Sequence, residues 1–109
     1  MSSYLKNIDM VAAFDAIKAT KANLFAGNAL FVGLNCFEPG QEQKVHAHAG
    51  ADKFYLVVSG KARMRVGADQ FEAAEGSVVW APAEVPHGVE RALERTVMLV
   101  AIAPPPSRP

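Results

Sequence analysis

The sequence predicts an all-β domain, a sandwich or barrel folded from short hairpins, and three observations carry that expectation. Past about Lys21, short runs rich in Val, Phe, Leu and Met take over the chain. Turn residues interrupt them at short, regular intervals: Gly27-Asn28, Pro39-Gly40, Ser59-Gly60, Gly67-Ala68-Asp69 and Glu75-Gly76. Finally, 109 residues that are 50% apolar and 20% charged have the composition of one globular domain, residues 1–109, with its own core.

The N-terminal segment, residues 1–20, is the exception to this pattern. In "NIDMVAAFDAIKA", Asp9 can cap a helix on which Val11, Phe14 and Ile17 share a face, so a short helical or irregular segment is expected. Strands follow in "ANLFAGNALFVGLNCFEPG", "KVHAHAGADKFYLVVSG", "KARMRVGADQFEAAEG", "SVVWAPAEVPHGVE" and "RTVMLVAIAPPP". "SGKA" and "VGADQF" read as tight hairpin connections, because glycine tolerates the positive φ such turns need. The tail "PPPSRP", residues 104–109, cannot donate to a sheet and reads as a surface extension.

Strand alternation also says what needs covering. In "KFYLVVS", Lys53, Tyr55, Val57 and Ser59 share one face, while Phe54, Leu56 and Val58 share the other. "TVMLVAIA" is apolar throughout. A strand apolar on both faces needs a second cover, from another layer or from a second subunit. The expectation is a homodimer packed sheet to sheet. Trp80 and Phe31 are expected in the core.

Charge and composition exclude several partners. The formal net charge is zero, with 11 basic and 11 acidic residues interspersed, so nothing tracks a phosphate backbone and no nucleic acid is expected. "MSSYLKNIDM" lacks a basic stretch followed by an apolar one, which predicts no secretory signal. No apolar run approaches the roughly 20 residues of a membrane span, so no membrane partner is expected. The single cysteine, Cys36, permits neither an internal disulfide nor a paired-thiolate zinc site and reads as a small buried hydrophobe. These features predict a cytoplasmic protein.

The chemistry-bearing residues are the histidines, of which there are three. His46 and His48 are two apart, so on a strand they share a face, roughly 7 Å apart along the chain. Two neutral imidazoles in that arrangement can reach one ion, or be two polar residues on one side of a strand. The third, His87, follows a proline-bounded turn, where a histidine alone is ordinarily a loop residue. Spacing alone leaves both readings open.

The stretch Gly40–Gly60 resembles the first cupin motif, a glycine, five residues, His-x-His, a short gap, an acid, six residues and a glycine, with Gly40, His46, His48 and Gly60 in register. Gly76, Pro82 and His87 likewise match the second motif, and the likeness runs from about Asn28 to Pro105. The resemblance implies a double-stranded β-helix, the jelly-roll barrel, often dimeric, with a metal at its centre. It also implies that His46, His48 and His87 are metal ligands. Three positions depart from the pattern: Lys53 stands where the acidic ligand is usual, Glu84 replaces a glycine, and Arg91 replaces an asparagine.

Lysine at the acidic position sets the functional question, because an ammonium repels a divalent cation. Lys53 can bend away and leave three histidines with open positions on the metal, or face the cavity and pair with an anionic ligand, or mark a barrel that has lost its metal. Asp52 could replace it only through a bulge. Glu38 and Glu42 are expected to be solvated, and Arg91 to make a rim salt bridge. The resulting expectation is a divalent transition metal ion (iron, manganese, nickel, copper or zinc) in a metal-dependent enzyme. Its small organic substrate, anionic if Lys53 faces it, would undergo dioxygenase- or isomerase-type chemistry, with Lys53 as anion clamp or base and Tyr55 second. The alternative is a non-catalytic module that binds a small ligand or a metal.

Overall fold

The alternating runs fold as strands, and the break between them decides which sheet each joins. The computed structural model describes residues 2–106. One short helix, α1 (Ile8–Val11), precedes β1 (Thr20–Ala26), β2 (Phe31–Phe37), β3 (Gln43–His46), β4 (Asp52–Ser59), β5 (Lys61–Val66), β6 (Asp69–Ala74), β7 (Val78–Ala81), β8 (His87–Ala92) and β9 (Thr96–Ala103). A five-stranded sheet in the order β1-β2-β9-β4-β7 faces a four-stranded sheet in the order β3-β8-β5-β6. Every pairing is antiparallel, giving the jelly-roll architecture. Of the tail "PPPSRP", residues 107–109 lie outside the described part of the chain.

The core fills the space between the sheets. Tyr55 and Val57 of β4, Met64 of β5, Val89 of β8 and Met98 and Val100 of β9 all point inward and form one buried cluster. β9 lies between β2 and β4, so neither of its edges is free and both its faces are apolar. Its outward-facing Val97 joins Leu24, Leu34 and Cys36 in a second cluster.

The cover for that second cluster comes from the chain itself. Ile8, Val11, Ala12 and Phe14 of the N-terminal segment pack across it. A second subunit is therefore not needed over this half of the sheet. Over the other half, beside β4 and β7, Phe54 and Trp80 lie opposite each other and are 37% and 55% exposed. Trp80 is thus not the core residue that its size suggested: alternation along the four residues of β7 turns Val79 and Ala81 inward and Trp80 out.

Two further expectations are corrected. Asn7, not Asp9, caps α1, its side chain accepting the Asp9 N–H at 2.9 Å. The helix ends at Val11, so Phe14 packs from an irregular stretch and Ile17 is exposed. "VGADQF" is the tight hairpin expected, with Val66 paired to Asp69. "SGKA" is not a hairpin: β4 and β5 belong to different sheets, and Gly60 is the corner between them. Gly60 has φ +89°, and a Cβ there would overlap Arg95 O and stand 2.5 Å from Thr96 Oγ1, so no other residue fits without rearrangement.

Candidate metal centre

His46 closes β3 and His87 opens β8, and the antiparallel register pairs them directly. This pairing depends on a bulge. Gln43 lies opposite Val89 and His46 opposite His87, so β3 spends three steps where β8 spends two. Gly88 makes room for it, since a Cβ there would stand 2.8 Å from Gln43 O and 2.9 Å from Val45 Cα. The missing side chain lets β3 press onto β8 beside His87.

His48 lies beyond the end of β3, in the loop before β4. Glu84 secures that loop from the facing turn: its N–H donates to His48 O at 2.9 Å, and its carboxylate accepts the Gly50 N–H at 2.7 Å. Glu84 sits at φ +67°, the left-handed conformation that the glycine of the motif would adopt freely. The substitution keeps the backbone shape and adds a clamp. Asp52 is equally occupied, accepting the Ala83 N–H at 2.9 Å, and does not join the histidines.

The three histidines converge. One ligand atom from each of His46, His48 and His87 lies within 4.8 Å of the others, and the ring centroids stand 4.6–5.4 Å apart. His46 Nδ1 donates to Lys44 O at 2.8 Å and His87 Nδ1 to Val85 O at 2.9 Å. A carbonyl can only accept, so each ring carries a proton on Nδ1 and leaves Nε2 as the nitrogen free to ligate. His46 Nε2 meets His48 Nε2 at 3.2 Å, where one proton or one cation must sit between two lone pairs. His87 Nε2 is buried without a hydrogen-bond partner. An unsatisfied buried acceptor beside two further imidazole nitrogens is the donor set of a transition-metal site, so these residues fit such an ion.

Electrostatics favour the ligating form of the rings. Burial pushes His87 down to about 4; the Val85 bond opposes this, and Lys53 and the neighbouring histidines add to it. Burial, then His46, Lys53 and Lys21, hold His48 below its usual value. Both rings are therefore neutral near pH 7, as metal ligation requires.

Lys53 is on the inner face of β4, only 4% exposed. It does not bend out to solvent. Its ammonium lies 4.4 Å from the centre of the Tyr55 ring, and burial, with Lys21 adding, lowers it to about 8. Tyr55 is fully buried behind it, and its hydroxyl donates to Gln43 Oε1 at 2.7 Å. Burial alone raises the Tyr55 phenol well above its ordinary value. A cavity of about 260 Å³ opens beside the centre, with Lys53, His46, His48, Lys21, Asn35 and Gln43 among its walls.

Sequence reasoning missed Asn35, Gln43 and Gly88. Asn35 had a signal, as the one amide in the buried run "FVGLNCF". Gln43 had none, because the bulge in β3 inverts its parity relative to His46. Phe31, expected in the core, is partly exposed and lines the cavity. Arg91 is exposed and makes no ion pair among the described residues. A register shift opposite Arg63 and Met64 inserts an extra residue in β8, so Arg91 loses the inward parity of His87. Glu38 pairs with Arg95 at 3.1 Å, and Glu42 is exposed.

Comparison with known proteins agrees with this fold. The family model described as "Cupin domain" matches residues 33–103. An uncharacterized protein of Streptomyces coelicolor is 41% identical over 78 residues, 70% of this chain and 71% of that protein. The crystal structure of TT1209 from Thermus thermophilus superposes with a TM-score of 0.88 at 35% identity, covering 94% of this chain and 98% of that one. An RmlC-like cupin protein from Desulfovibrio desulfuricans superposes with a TM-score of 0.84 at 29% identity, covering 94% and 97%.

Proposed function

The chain belongs to the cupin domain family, and from that membership and the histidine cluster we propose that it is a metalloprotein acting on a small organic molecule. His46, His48 and His87 would hold one divalent transition metal ion, drawn from iron, manganese, nickel, copper or zinc. The observation that carries this reading is the bare, buried Nε2 of His87, turned toward the two imidazoles of His46 and His48.

Bound there, such an ion supplies Lewis acidity toward a carbonyl or enolate oxygen, with dioxygenase- or isomerase-type turnover as the reaction class. The chain's own residues do the rest. The carbonyls of Lys44 and Val85 orient two of the imidazoles, and Glu84 holds the loop of the third. Lys53 presents positive charge to the cavity, where it serves as anion clamp or, deprotonated, as base. Tyr55 supports Lys53 through its ring face.

The open cavity beside the histidines favours an enzyme over a purely structural module. A second copy of the chain, packed sheet to sheet over Phe54, Val78 and Trp80, completes the proposal as a homodimer. No helix among the described residues is long and apolar enough to cross a membrane, and a cytoplasmic setting accords with the lone thiol. Metal analysis of the purified protein, with turnover assays of the loaded form, tests the reading. A protein that neither contains nor takes up a divalent ion would refute it; a loaded protein that turns nothing over would leave a binding module.

A further inference from the structure

The cavity beside the histidines has an uneven chemistry that metal binding does not account for. Lys53 and Lys21 reach it, with the amides of Asn35 and Gln43, and no aspartate or glutamate among the described residues lines it. Lys53 is buried, yet no carboxylate pairs with it among the described residues. Asn35 is 4% exposed, and its Nδ2 is buried without a hydrogen-bond partner. Gln43 already spends its Oε1 on the Tyr55 hydroxyl, which leaves its Nε2 as the free end. Apart from the imidazole nitrogens at its histidine end, the cavity thus offers donors and positive charge and holds no carboxylate among the described residues.

A carboxylate is the group that meets all of these at once, since it is negative, purely accepting and carries two oxygens. Phe31, Val100 and Ile102 give the cavity an apolar wall, in which Gly33 is paired with Val100 and lies against the Phe31 ring. At about 260 Å³ the space lies below the range of about 300–1,000 Å³ typical for drug-sized ligands, so the occupant is small. We propose that this cavity is a carboxylate site, in which Lys53, the unpaired amide of Asn35 and Lys21 hold the acid group of a small organic acid. The rest of the molecule lies against the apolar wall, and a second oxygen reaches toward His46 and His48. That last contact rests on the metal reading above; the carboxylate contacts do not.

The experiment uses the whole chain, Zn(II) as the metal, malonate as the probe and malonamide as its neutral counterpart. Zn(II) uptake is measured first, for wild type, Lys53→Met and Asn35→Leu. All three are expected to take up the ion, because neither substitution touches a histidine. Lys53 has no carboxylate partner among the described residues and Asn35 Nδ2 no hydrogen-bond partner, so folding should survive both. Malonate is then titrated calorimetrically into metal-free and Zn(II)-loaded protein.

Wild type is expected to bind malonate and not malonamide, and each substitution to weaken malonate binding at least tenfold in whichever form wild type binds it. Absence of malonate binding to wild type, or binding equal for malonate and malonamide, overturns the site. So does binding unaffected by both substitutions, and binding that survives one of them removes that residue from it. Failure of wild type to take up Zn(II) defeats the metal reading instead, and the metal-free titration still decides the carboxylate site.

Discussion

The ammonium of Lys53 lies 4.4 Å from the centre of the Tyr55 ring, inside the barrel and at the position where the family pattern has an acid. The ring face supplies the partial negative charge that a carboxylate would otherwise give, worth about 0.5–2 kcal/mol. It does not cancel the cost of burying the charge, which is why Lys53 is pushed down to about 8.

Replacing Lys53 by methionine is therefore expected to stabilise the metal-free protein at neutral pH. The shift from 10.5 to about 8 corresponds to about 3 kcal/mol, and losing the ring contact returns up to about 2 of that. A net gain of roughly 1–2 kcal/mol should raise Tm by several degrees. Between pH 8 and 10.5 the unfolded chain binds more protons than the folded one, so this part of the wild type's stability rises with pH. The advantage of Lys53→Met should be full below pH 8 and shrink as pH climbs to 10.5. Thermal melts of both proteins across that range check it; a gap that widens with pH contradicts it.

Removing one histidine should abolish tight metal binding. Wild type with free ion at about 100 times its Kd should gain about 2.7 kcal/mol of stability. At about 4–8 °C per kcal/mol that is a Tm rise of order 10 °C. His48→Ala and His87→Ala should show no such rise and no metal by elemental analysis. An equal, near-zero content in wild type and variants would count against the centre.

Glu84 and Gly88 act on the centre without touching it. Glu84→Ala keeps the strained φ and removes the Gly50 bond, so the His48 loop should loosen. Outer-shell losses of this kind cost about 10–100-fold in metal affinity. Gly88→Ala forces β3 away from β8 and should weaken binding as well, by separating His46 from His87. Competition titrations against a coloured chelator measure both. Wild-type affinity in either variant would show that the residue does not position the site.

The half of the five-stranded sheet left open by the N-terminal segment predicts self-association. Phe54 and Trp80 stand opposite each other there, with Val78 67% exposed beside them. Trp80→Glu places a charge in the middle of this patch and should convert a dimer to a monomer in sedimentation velocity, with Tm lower and concentration-independent. A wild-type protein that sediments as a monomer at micromolar concentration would remove the dimer from the proposal.

Contacts between residues far apart in the chain decided what alternation could not. By itself the sequence determined the strands, since side chains alternate with a period of two and turn residues announce the ends. It also placed His46 and His87 next to turns, where the structure has strand ends, and made Cys36 a core residue. Which strands pair, and where a register slips, are long-range matters that local alternation does not carry. The bulge in β3 set His46 against His87, and the one in β8 turned Arg91 to solvent. Gly60 became a corner because β4 and β5 found different neighbours. Only the folded barrel brought Lys53, Lys21 and Asn35, separated along the chain, to one cavity wall, because a sheet sets side by side residues whose distance in sequence is arbitrary.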